Sequence, residues 1–135
     1  MQYIANPYDT YKKQGVLTAS PIELIIMLYD GCIKNIKISM MMLEKKDMEK
    51  VHISLTKAQD IMTELITSLD LQYEVGEQLM DIYVFVRNTL VDANLNKEDK
   101  ELPGLIEVLE ELRSAWDEIA KNNRSSAQIA ELEAE

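Results

Sequence analysis

The chain has 135 residues, of which 47% are hydrophobic and 28% charged, and its formal net charge is -10. That length suits one domain with room for a sizeable core. Phosphate contacts need clustered Lys and Arg, so this charge balance argues against nucleic acid or an anionic membrane surface as a partner.

Residues 1–15 are polar but carry Tyr3, Ile4, Tyr8 and Tyr11. Tyr8 and Tyr11 lie one helical turn apart and fit two roles. They either staple the segment to the folded body or lie reversibly over a groove. Ser20, Pro21 and Glu23 then spell a helix start. The Ser20 hydroxyl can accept from an orphaned backbone N–H, Pro21 suits the first helical position, and Glu23 completes a capping box.

Helix 1 is predicted from Pro21 to about Lys45. Ile22, Ile25, Tyr29, Cys32, Ile36 and Leu43 form its core stripe, and Leu24, Leu28, Ile38 and Met42 form a second row on a neighbouring face. Helix 2 is predicted from an Asp47 N-cap to about Leu69. Met48, Val51, Leu55, Ala58, Met62, Leu65 and Leu69 keep heptad spacing, and a short connection makes helices 1 and 2 a hairpin. Helix 3 is predicted from Tyr73 or Val75 to Leu95. Its stripe is Val75, Leu79, Ile82, Val86, Leu90 and Ala93, bordered by Tyr83, with a second apolar row at Met80, Val84 and Val91. Helix 4 is predicted from Leu102 to Lys121 as a one-sided helix, with a stripe of Leu102, Leu105, Leu109, Leu112, Trp116 and Ile119 opposite Glu107, Glu110 and Glu111. Pro103 fits only its first turn.

The fold expected is all-α: an antiparallel up-and-down four-helix bundle spanning 21–121 within a single domain. It carries an N-terminal capping segment (1–15) and a short fifth C-terminal helix in a loosely docked or frayed tail, 122–135.

Enzymatic chemistry has no foothold in the sequence. There is no Gly-rich phosphate loop, nucleophile elbow or Cys/His cluster. His52 follows Glu49 at the Glu-x-x-His spacing of di-iron bundles, but such a site needs a second histidine. The Met40–Met42 run reads as adaptable packing or partner contact. No metal and no cofactor is expected. Cys32, the only cysteine, is expected to be an inert buried thiol. No segment reads as a membrane span or a signal peptide, so a soluble cytoplasmic protein is expected. Surplus apolar rows on helices 1 and 3 suit an amphipathic helix or a segment that folds on binding.

Several stretches carry a family resemblance. Asn6-Pro7-Tyr8 with Tyr11, Val16 to Pro21, Glu23-Leu24-Ile25 and Met27 to Gly31 closely resemble the opening of the flagellar secretion chaperone FliS family. Lys57 to Ile61, Ser68-Leu69-Asp70, Ala93-Asn94 and Glu111-Leu112-Arg113 with Trp116 continue the pattern in register. A single glycine, Gly76, stands where members often carry a Gly-Gly pair. The resemblance implies a cytoplasmic, non-enzymatic export chaperone for type III secretion. Its partners would be the disordered C-terminal segment of flagellin and components of the flagellar export apparatus. It also implies that the N-terminal segment covers part of the binding surface when flagellin is absent. Candidate partner contacts are then Tyr8, Tyr11, Leu24, Leu28, Tyr29, Met80, Tyr83, Val84 and Val91. The rival reading is a structural or regulatory bundle that pairs with a second copy through the same rows, so both monomer and homodimer stand open.

Overall fold

A computed structural model describes residues 21–134, and these form four helices: α1 (Pro21–Glu44), α2 (Met48–Thr67), α3 (Glu74–Asn96) and α4 (Leu102–Ala134). α1 begins at Pro21 with Glu23 in its first turn, as the capping pattern predicts. Ser20 and the whole capping segment, with Tyr8 and Tyr11, lie outside the described residues.

The first connection is short because two devices close it. The backbone N–H groups of Lys45, Lys46 and Asp47 return to carbonyls in the last turn of α1, and Lys46 takes a left-handed φ of 59°. Asp47 then caps α2, its side chain accepting from the Lys50 N–H at 3.1 Å. Across the second connection, the Asp70 side chain accepts from the Gln72 N–H, and α3 starts after an extended Tyr73. Here Gly76 explains itself. A Cβ built on it would sit 2.1 Å from the Asp70 carbonyl oxygen, so the turn backbone rests on the helix where a side chain would be. Gly104, in the first turn of α4, meets nothing within 4 Å.

The predicted stripes fill the core where all four helices overlap. Cys32 and Ile36 of α1, Val51, Leu55, Ala58, Met62 and Leu65 of α2, Val86 and Leu90 of α3, and Leu102 and Leu109 of α4 are all fully buried. Burial raises the Cys32 thiol pKa to about 12, consistent with an inert group. The ends of the stripes depart from expectation. Met48, Val75 and Ile119 are exposed, and Ala120, the next residue round α4, is buried in place of Ile119.

Two differences concern length and closure. The expected fifth helix is not a separate element, because α4 runs unbroken for 33 residues to Ala134. No Gly or Pro interrupts 122–134, and propagating a formed helix is easier than nucleating a new one. At 1.5 Å per residue α4 is about 50 Å long against about 36 Å for α1, so its C-terminal part runs past the bundle. The second difference is uneven packing around the bundle. α1 packs broadly on α2, α2 on α3, and α1 on α4, whereas α3 and α4 barely meet.

Two glycine substitutions should separate the backbone roles. Gly76→Ala should lower stability by about 1–3 kcal/mol through overpacking against the Asp70 carbonyl. Gly104→Ala should raise it by about 0.5 kcal/mol, because the added methyl meets open space and improves helix propensity. Urea unfolding followed by circular dichroism reads both.

Candidate partner-binding site

The sparse seam between α3 and α4 leaves a slot. At its middle Ile82 and Phe85 of α3 face Val108 and Leu112 of α4 across a recess of about 480 Å³, with Asp81 and Glu111 at its edges. Phe85 is 60% exposed although it is the largest apolar side chain there. Toward the start of α3 the slot meets a smaller recess of about 150 Å³, lined by Ile25, Leu69, Tyr73, Val75, Leu79, Tyr83 and Trp116 together with Ser68, Asp70 and Gly76. At the other end Phe85 also borders a recess of about 330 Å³, lined by Thr89, Asp92, Ala93, Asn96, Glu98, Lys100 and Glu101. The three follow one another along α3, from Val75 to Asn96, a span of about 30 Å.

A buried polar cluster closes the floor near Trp116. The Tyr29 and Tyr83 hydroxyls share a hydrogen bond of 2.5 Å, and the Trp116 indole N–H donates to the Tyr29 hydroxyl at 3.2 Å. The two phenol rings meet edge to face, with centroids 6.2 Å apart. The cluster therefore ties α1, α3 and α4 together at a level where α3 and α4 make little contact of their own. Burial raises the pKa of both phenols, far above its ordinary value for Tyr29, where the neighbouring Tyr83 reinforces the effect. On the α1 side, Arg113 donates in a forked arrangement to the Asp30 carboxylate, and Lys37 pairs with Glu110 at 3.5 Å.

The structure sorts the expected contacts into three groups. Leu28, Tyr29 and Tyr83 are 2%, 0% and 1% exposed and belong to the core. They are therefore packing residues here, and only Tyr83 also lines a recess. Leu24, Met80 and Val91 are half-buried, and Val84 is exposed. By helical register Met80, Val84 and Val91 lie on the flank of α3 opposite Ile82 and Phe85, outside the slot. Tyr8 and Tyr11 fall outside the described residues. Sequence reasoning missed Ile82 as a slot residue (it was assigned to the core), and missed Phe85 and Val108 altogether. One signal was available: Phe85 is the sole phenylalanine and sits off the core stripe of its helix.

His52 is exposed, and its Nδ1 accepts from the Asn94 side-chain amide at 3.1 Å. The Lys97 ammonium donates to the Asn94 side-chain and backbone oxygens. Asn94 thus joins α2 to α3, and Lys97, left-handed with its N–H returned to the Ala93 carbonyl, caps the end of α3. Among the described residues no three His, Cys, Asp or Glu side chains converge on a point that could hold a metal ion, and no helix is long and apolar enough to cross a membrane.

The buried phenols should make stability fall in alkali. Their folded pKa lies above the unfolded value of about 10, so the contribution is complete below pH 10 and is lost as pH rises beyond it. Urea unfolding at pH 8 and pH 10.5 should show a larger loss for the native chain than for a Tyr29→Phe, Tyr83→Phe variant.

Comparison with known proteins places this bundle. The family described as "Flagellar protein FliS" matches residues 4–123. The Flagellar secretion chaperone FliS of Bacillus subtilis (strain 168) is 34% identical over 121 residues, covering 90% of this chain and 91% of that one. The protein of the same name from Vibrio cholerae serotype O1 is 28% identical over 129 residues, covering 90% and 95%. A solved structure titled "Crystal structure of flagellar chaperone from bacteria" superposes with a TM-score of 0.72 at 20% identity, covering 85% of this chain and 95% of that one, and so shares its fold. With a family match across nearly all of its bundle and close relatives over nine-tenths of its length, the chain belongs to the FliS family of flagellar secretion chaperones.

Proposed function

We propose that this protein is a cytoplasmic export chaperone that holds the C-terminal segment of flagellin in the α3–α4 slot. It keeps that segment from polymerising and presents the subunit to the flagellar export apparatus. The observation that carries the reading is Phe85, a large apolar side chain 60% exposed in an apolar recess between two helices that barely meet. Such a recess suits the apolar side of an amphipathic helix, the recognition mode in which i, i+3 and i+4 side chains fill a groove. A segment that is disordered when free would order on docking and release when the subunit is handed on. The chaperone acts by occupancy alone and needs no bond-making chemistry. Met80, Val84 and Val91 offer a second strip on the far flank of α3, which a segment longer than the slot reaches by wrapping around that helix.

Calorimetric titration with the C-terminal segment of flagellin from the same organism tests the reading. One-to-one binding with a negative heat-capacity change is expected, because apolar surface is buried. Phe85→Asp should weaken binding by roughly tenfold or more, as expected for an aromatic anchor, while circular dichroism shows the bundle intact. Val84→Asp should have a smaller effect. Binding unaffected by Phe85→Asp would move the site off the slot. No binding, or a stable dimer in light scattering that buries Phe85, would overturn the reading.

A further inference from the structure

The slot is not the same along its length. Around Trp116 its lining is mainly aliphatic and aromatic, with Ser68 and, as the only charged group among the described residues, Asp70. At the opposite end Asp92, Glu98 and Glu101 line it against one base among the described residues, Lys100. Between them Asp81 and Glu111 flank the apolar middle. The C-terminal end of α3 and the N-terminal end of α4 lie together at the acidic end, so their opposed dipoles largely offset. The side-chain charges therefore decide the local field.

We propose that the slot favours one direction of an amphipathic helix, with its N-terminus at Asp92 and Glu101 and its C-terminal apolar turns against Trp116. The occupant is a helix of about five turns, since the slot is about 30 Å long and a helix rises 1.5 Å per residue. Its chemistry follows from the lining: an apolar face for Ile82, Phe85, Val108 and Leu112, and Lys or Arg along its edges for the carboxylates. The direction follows from the helix dipole. Unpaired N–H groups at the N-terminus carry partial positive charge, which the carboxylates favour, while the carbonyl end is disfavoured beside them. Two such carboxylates give about a tenfold preference for this direction over the reverse. The inference rests on the slot being the site of the proposed function, and it adds which way the bound segment runs.

Trp116 is the only tryptophan in the chain and stands at one end of the slot. It is therefore a built-in donor for energy transfer. The probe is a synthetic 20-residue helix with leucines on one face and lysines at its edges, repeated evenly so that its own sequence prefers neither direction. A dansyl acceptor is placed at one terminus or the other. Strong quenching of Trp116 by the C-terminal label and weak quenching by the N-terminal label is the expected result. Equal quenching, or the reverse order, overturns the inference, as does failure of the peptide to bind. Reversing charge with Asp92→Lys and Glu101→Lys should reverse the order of the two labels at low salt, whereas Glu49→Lys, on α2, should leave it intact. If Asp92→Lys with Glu101→Lys changes nothing, the direction is not set by these carboxylates. A parallel titration with the flagellin segment separates the two claims. Directional binding of the synthetic helix without binding of flagellin keeps this inference and removes the proposed partner, and flagellin binding with equal quenching does the opposite.

Discussion

α4 is tied to α1 more firmly than to α3, and the consequences run through the molecule. The forked Arg113–Asp30 pair and the Lys37–Glu110 pair both join α4 to α1. Asn94 joins α3 to α2 through His52. Each outer helix thus leans on its own inner neighbour. Exposed ion pairs such as these contribute at most about 1 kcal/mol each, so they orient the helices more than they stabilise them. Stability comes from the shared apolar core, which is complete without a close α3–α4 contact. The open seam is therefore compatible with a stable fold.

The buried tyrosine pair limits how far that seam can open. Tyr29 and Tyr83 bring polar groups into the core, and each hydroxyl has a partner there. Leaving either without one would cost about 1–3 kcal/mol. The other buried polar side chains follow the same rule. Ser39 and Ser54 return their hydroxyls to carbonyls of their own helices, and among the described residues no buried side-chain polar atom lacks a partner. With Trp116 donating to Tyr29, the cluster holds α1, α3 and α4 in register near one end of the slot. Below it, Phe85 is left with one side bare. Covering the exposed part of such a ring is worth about 1–2 kcal/mol, enough to anchor a partner and too little to close the bundle by itself.

The groove is set in an acidic chain of formal net charge -10. The carboxylates at the slot margin, Asp81, Asp92, Glu101 and Glu111, stand beside the apolar residues that would otherwise invite nonspecific association. The same groups give the apolar slot a negative margin.

Much of this was legible in the amino-acid order. The start of α1 at Pro21, the Asp47 cap, the first turn of α4 around Pro103 and the main core stripes follow from local rules, and local rules need no knowledge of neighbouring helices. The FliS pattern was visible for the same reason, since its opening combines a cap with a contiguous apolar run. What the sequence did not determine is which flank of each helix a neighbour covers. Tyr29 already stood in the core stripe of its helix, whereas Leu28 and Tyr83 lie beside a stripe, and the approach of the other helices buried both. Ile82 lies in a stripe, yet α4 leans toward α1 and leaves it beside the slot with Phe85 and Val108. A periodicity of 3.6 residues marks a face, but the position of the next helix decides whether that face is core or surface.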